Sequence, residues 1–177
     1  MGFCLFNNAA VGALHGRKAH GYRRVAIVDF DVHHGNGSET LAKSDSELFY
    51  GSTHQAPLYP GTGMDNDPAH PNVVNACLPP GAGSAEFRAA FEATVLPALR
   101  AFAPDLLVIS AGFDAHRRDP LAELNLVEDD YYWVTAALQH IADASCQGRV
   151  VSVLEGGYDL EALAKSTAAH VRALMMA

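Results

Sequence analysis

The chain has 177 residues, 49% of them hydrophobic, with a net charge of -8 and a pI near 5.5. That is length and apolar content enough for one domain with a sizeable core, and it excludes an intrinsically disordered chain. The acidic balance argues against a nucleic-acid binder, which would carry a basic face, and mildly favours a cationic substrate through steering.

In chain order, residues 5–19 read as a helix of small residues, and RVAIVDFD (24–31) reads as a strand buried on both faces. A short helix is expected around 37–43 and a strand at SELFYGST (46–53). Residues 54–71 hold four prolines and two glycines and read as a long, functional loop. NVVNACL (72–78) suits a short edge strand. In 84–103, Phe87, Phe91, Val95, Leu99 and Phe102 recur at helical spacing, with Pro97 expected to kink or split the helix. DLLVISAG (105–112) is a third strand, and 127–146 a helix with acids in its first turn. RVVSVLEGGY (149–158) is a fourth clear strand, after which Asp159 caps a last helix. The alternation implies one α/β domain over 1–177, a mostly parallel sheet with helices on both faces. The three scattered cysteines, Cys4, Cys77 and Cys146, form no CxxC pair, and the start lacks a basic signal-peptide region. No apolar run approaches the ~18 residues of a membrane span. A cytoplasmic protein, with no membrane partner, is the expectation.

Three strands end in reactive side chains, and ligands in such sheets bind beyond the carboxyl ends of strands. The first ends in VDFDVHHGNG, the third in SAGFDAHRRDP and the fourth in EGGY. By strand alternation Asp29, Asp31 and His33 share a side, while His34 points elsewhere. An isolated aspartate at a strand end is usually a turn former. Here that reading leaves packed like charges uncompensated, and a cation resolves the conflict. Asp31, His33 and Asp114 make three ligands with a position open for water, the pattern of a catalytic metal site. Oxygen and imidazole donors suit Zn²⁺, and equally Fe²⁺, Mn²⁺ or Co²⁺. Tyr158 follows two glycines that permit close backbone approach. His34 reads as packing behind the ligands. His54, His70 and His116 read as solvated in polar loops, with His54 the best functional candidate; His15, His20, His140 and His170 read as surface.

Together these segments resemble the histone deacetylase superfamily. The resemblance runs in order through GFCLFNNAA, VDFDVHHGNG, LYPGTG, SAGFDAHRRDPL and EGGYDL, with DVHHGNG and AGFDA…DPL nearest the class II and bacterial deacetylase-like branch. That branch includes acetoin-utilisation-type deacetylases and acetylpolyamine amidohydrolases. The resemblance implies the arginase/deacetylase fold and zinc-dependent removal of acyl groups from acetyl-lysine proteins or acylated amines. It implies Asp31, His33 and Asp114 as zinc ligands and Tyr158 as donor to the substrate carbonyl. Asp29 would orient a catalytic histidine, and Asn36 stands where class I members have a second orienting aspartate. Gly2, Phe3, Tyr59, Leu121 and Gly157 would line the substrate tunnel. A structural K⁺ would sit in the region of Asp29, Asp31, His33, Ser52 and Thr53.

Family members carry a His-His dyad shortly before GFC, and residues 1–177 begin at Met1-Gly2. The sequence thus reads as the C-terminal portion of a deacetylase domain, weak or inactive by itself, with apolar surface exposed where the missing strands belong. The alternatives are a metal-binding pseudoenzyme or interaction module, and, more remotely, an arginase-like dimanganese hydrolase. The spacing in DAHRRD does not match the second DxD that the latter requires.

Overall fold

The computed structural model describes residues 4–176. In chain order the elements are α1 (Asn8–His20), β1 (Val25–Asp29), α2 (Asn36–Lys43), β2 (Leu48–Gln55), β3 (Val73–Leu78), α3 (Ser84–Ala90), α4 (Leu96–Phe102), β4 (Leu106–Ala111), α5 (Glu128–Cys146), β5 (Val150–Leu154) and α6 (Leu160–Leu174). The five strands form one parallel sheet in the order β3-β2-β1-β4-β5. The chain builds outward from β1 in one direction and from β4 in the other. The gap between the carboxyl ends of β1 and β4 is therefore the switch point where such sheets bind ligands.

Strand alternation divides the core in two. Val25 and Ile27 of β1 pack with Leu106 and Val108 of β4 under Ala9 and Ala13 of α1 and Ala42 of α2. Ala26 and Val28, with Leu107 and Ile109, face Phe87, Phe91, Leu99 and the α5 residues Tyr131, Val134 and Leu138 on the other side. Central strands buried on both faces have no polar alternation, which is why they read as continuous Val/Ile runs. The small residues of α1 let it lie close: a Cβ on Gly16 would stand 2.6 Å from Leu106 Cδ2. Asn7 caps that helix by accepting from the Ala10 N–H at 2.8 Å, and Asp159 caps α6 by accepting from the Ala162 N–H at 2.8 Å.

The expected disruption at Pro97 takes a specific form. Between α3 and α4, Phe91–Val95 make a widened π-helical turn, in which the Leu96 N–H bonds to the Phe91 carbonyl. Proline has no N–H to give and its ring crowds the carbonyl four residues back; the wide turn directly precedes Pro97, which sits in the first turn of α4, where its missing N–H is tolerated. Strand β5 departs from the fully covered pattern. It lies at the edge, with Val151 48% and Leu154 59% exposed. On α1, Val11 and Leu14 are exposed, and so are Leu5 and Phe6 before it. Among the described residues no helix is long and apolar enough to cross a membrane.

Three histidines differ from expectation. His54 lies within β2, not in a loop, and is buried; His116 is buried as well. His170 is not on the surface: it sits against Phe30 and Phe113, with Nδ1 2.6 Å from Thr135 Oγ1 and Nε2 2.8 Å from Ser152 Oγ. Burial pushes its pKa from 6.5 down to about 4. The unfolded chain therefore binds the extra proton between those values, so this histidine's stabilising contribution is present above pH 6.5 and lost as pH falls toward 4. Urea unfolding of wild type and His170→Gln at pH 7 and pH 4.5 should show a smaller acid loss in the variant, by on the order of 2 kcal/mol. Parallel losses in the two proteins would contradict this.

Candidate active site

The switch point holds a cleft lined by Asp29, Asp31, His33, Tyr59, Glu155 and Tyr158, among others. Strand β1 ends at Asp29. Beyond it the chain does not continue as the strand expected from the sequence. It makes two successive turns in which aspartates accept from the chain ahead. Asp29 Oδ1 takes the Asp31 N–H at 3.1 Å, and Asp31 Oδ1 takes the His33 N–H at 2.8 Å. These turns, and not strand alternation, carry Asp31 and His33 toward β4. Asp29 stays behind, buried, where its Oδ2 accepts from the Tyr50 hydroxyl at 3.2 Å. Burial, with the Asp31 charge adding to it, raises the pKa of Asp29 well above the ordinary carboxylate range.

Asp114 arrives from the turn after β4. Its Oδ1 accepts from the Val32 N–H at 2.9 Å, while Asp31 Oδ2 accepts from the Gly156 N–H at 2.9 Å. Each carboxylate is thus gripped by backbone from another segment, and their remaining oxygens converge on one imidazole nitrogen. His33 Nδ1 lies 3.0 Å from Asp31 Oδ1 and 3.1 Å from Asp114 Oδ2. Donor atoms of Asp31, His33 and Asp114 all fall within 4.8 Å of one another.

This donor set fits a divalent cation. Desolvation, reinforced by Asp31, raises Asp114 to about 7, and hydrogen bonds from His33 to Asp114 and Asp31 raise that imidazole to about 10. The two carboxylates demand a positive charge between them, and a proton on His33 is the charge the chain itself can supply. Glycines make the space. A Cβ on Gly156 would stand 2.7 Å from Asp31 Oδ2, and one on Gly112 would stand 2.5 Å from Asp31 Cα.

Tyr158 flanks this group. Gly157 before it has φ 142, a conformation open to glycine, and its missing Cβ would meet Leu163 at 2.8 Å. The Tyr158 N–H donates to Asp119 Oδ2 at 2.8 Å. Desolvation and the nearby acids push the phenol up to about 12, so it keeps its proton at neutral pH. Across the cleft, the Tyr59 ring stands edge-on to His33 with centroids 6.5 Å apart. Leu121 is exposed on the loop after Asp119 and is not among the cleft-lining residues. Ser52 is buried in β2 in register with Asp29, with Thr53 beside it. Gly2 and Phe3 lie outside the described residues.

The chain matches the family model "Histone deacetylase domain" over residues 1–174. The chain belongs to the histone deacetylase family. It is 43% identical, over 99% of its length, to "Histone deacetylase 14, chloroplastic" of Arabidopsis thaliana, covering 42% of that protein. It is 42% identical to a "Probable deacetylase" of Methanothermobacter thermautotrophicus, over 98% of this chain and 53% of that one. Among solved structures, the HDA15 HD domain superposes with a TM-score of 0.88 at 39% identity, over 99% of this chain and 50% of that one. The fold is therefore the arginase/deacetylase type, and the chain spans roughly half the length of these relatives. The family consists of hydrolases acting on amides.

Several contributors to this candidate site are not evident from sequence. Asp119 orients Tyr158, and its Asp-Pro pair is the available signal. Glu155 lines the cleft and accepts from the Ser110 hydroxyl at 3.0 Å. Glu39 faces His34 Nε2 at 2.5 Å. His34 itself is buried away from the cation-binding group, with Nδ1 2.8 Å from Thr62 Oγ1.

A bare His33 Nδ1 is needed to ligate a metal, so binding must displace the proton that this imidazole holds up to about 10. Calorimetry in buffers of different ionisation enthalpy should show about one or more protons released per Zn²⁺ at pH 7. Affinity should rise close to tenfold per pH unit between about 7 and 9. A pH-independent affinity would show that His33 is not a ligand.

Proposed function

We propose that this chain carries the catalytic metal cradle of a zinc-dependent amidohydrolase that removes acetyl or other acyl groups from acylated amines, acetyl-lysine proteins or acetylpolyamines. The observation that carries the reading is the convergence of Asp31, His33 and Asp114 donor atoms within 4.8 Å, at the switch point and on the cleft that Tyr158 also lines. Asp31, His33 and Asp114 would hold Zn²⁺, or Fe²⁺ or another divalent ion in its place. When bound, such an ion polarises the scissile carbonyl and acidifies water at neutral pH.

The chain's own residues supply the rest. Tyr158, protonated because its pKa stands at about 12, donates a hydrogen bond to the carbonyl oxygen and holds the oxyanion as the tetrahedral centre forms. Asp119 fixes its backbone. Tyr59 provides an aromatic wall for the acyl-bearing arm, and Gly157, with φ 142, makes the turn that presents Tyr158. Asp29 supports the turn that carries Asp31. A structural K⁺ beside Asp29, Asp31, His33, Ser52 and Thr53 belongs to the same proposal, supported by the register of Ser52 with Asp29. So does a reducing, cytoplasmic setting, supported by three free cysteines.

The general base is the weak point. Among the described residues, the histidines lining the cleft are His33 and His34. His33 is committed to the two aspartates, and His34 to Thr62 and Glu39. Residues 1–177 alone should therefore turn over slowly, short by the ~10²–10⁴ that a positioned base contributes. The same observation favours a second reading, a metal-binding module without turnover.

Zinc-loaded residues 1–177 should hydrolyse an acetyl-lysine peptide or an acetylpolyamine slowly, and Tyr158→Phe should lower the rate about 10²–10³-fold with zinc stoichiometry intact. A rate untouched by Tyr158→Phe would refute the assignment of the donor. No turnover at one zinc per chain would favour the module.

A further inference from the structure

The loop that carries Tyr59 has little of its own to hold it. Within Leu58–Gly63 the bond given by the backbone to itself is Gly61 N–H to Leu58 carbonyl, 2.8 Å. Yet Tyr59 and Pro60 form one wall of the cleft. Beyond the Asn66–Asn75 pair that ties its far end, the fastening nearest Tyr59 involves two buried histidines beneath it. His34 Nδ1 meets Thr62 Oγ1 at 2.8 Å, and His54 Nε2 meets the Gly63 carbonyl at 3.0 Å. Cys77 Sγ donates to the same carbonyl at 3.1 Å. The imidazole rings lie against each other with centroids 4.7 Å apart.

The hydrogen-bond pattern fixes how His54 works. The Gly63 carbonyl accepts only, so Nε2 carries the proton. Nδ1 is then bare and accepts from the Ser52 hydroxyl, 2.9 Å away. The ring is a strut with a donor at its loop end and an acceptor at its sheet end. It spans from β2, the strand paired with Asp29, to the loop over the cleft. Gly63 lets the loop come this close: it has φ 74, and a Cβ there would stand 2.5 Å from the His34 ring.

We propose that His54 is a positioning residue, which with His34 fastens the Tyr59 loop to the sheet and so sets the fit of the cleft around the acyl-bearing arm of the substrate. The role in substrate fit rests on the hydrolase reading above; the fastening itself does not. His54 touches neither the aspartates nor the His33 ring, and its hydrogen-bonded link toward them is the Ser52 hydroxyl, so its loss acts first on the wall.

The test uses zinc-loaded residues 1–177 as wild type, His54→Leu, His54→Gln and Thr62→Val. The readouts are amide hydrogen exchange over 58–66, zinc affinity, and the Kd of an acetyl-lysine peptide. His54→Leu and Thr62→Val should each speed exchange in 58–66 about tenfold and weaken peptide binding about tenfold. Exchange in β1 and β4 and zinc affinity should stay within about threefold of wild type. Glutamine offers both a donor and an acceptor, so His54→Gln should restore most of the loss. Unchanged loop exchange in His54→Leu would overturn the proposal, as would faster exchange with peptide affinity unaltered. Should His54→Leu fail to fold, Thr62→Val and His54→Gln decide the matter alone. A wild type that binds no zinc would sink the hydrolase reading, while the exchange data would still decide whether His54 holds the loop.

Discussion

Two carboxylates forced toward one imidazole organise the rest of this molecule. Asp31 and Asp114 come from strands adjacent in the sheet and distant in sequence, and each is gripped by a backbone N–H contributed by another segment. Those bonds stitch the turns after β1, β4 and β5 into one rigid floor. They also turn Asp31 Oδ1 and Asp114 Oδ2 together toward the His33 imidazole, which is an unfavourable arrangement until positive charge enters it. Structural stitching and cation hunger are two sides of the same carboxylates.

Much of this could be read from the sequence because central parallel strands advertise themselves. VAIVD and LLVISA are apolar without alternation, and the reactive residues that interrupt such runs sit at strand ends, where this architecture places ligands. Pro97 marked the place where the third helical segment is interrupted, although not that the interruption would be a wide turn. The set Asp31, His33 and Asp114 could be named from residue type, but the route by which they meet could not. Strand alternation put Asp29 on their side, and it does line the same cleft, but its oxygens are taken by the Asp31 N–H and the Tyr50 hydroxyl and do not meet His33.

The histidines show where local reading stops. STHQAP around position 54 is polar and precedes a proline-rich stretch, so it looks like loop. In the fold, β2 runs through Gln55 because β3 pairs with it there, and His54 is covered from above by Gly63. His170 sits on a helix between Ala169 and Val171, and only the packing of α6 on α5 near β5 reveals that it faces inward. What covers a polar side chain is not visible in its immediate neighbours: Thr135 and Ser152, distant in sequence, hold His170, while His34 and His54 meet nearer partners, Glu39 and Gly63, only because the chain turns back on itself.

The bare margin at β5 has a colloidal consequence. A sheet whose last strand presents valine and leucine to water is a template on which another strand can be laid, and nothing at Val151 or Leu154 is charged to discourage it. A net charge of -8 on residues 1–177 opposes such pairing through mutual repulsion. That repulsion reaches only about 8 Å at physiological ionic strength and shrinks to roughly 3 Å in molar salt. Residues 1–177 taken by themselves should therefore stay apart better in dilute buffer than in high salt, which screens the charge and leaves the apolar attraction in place.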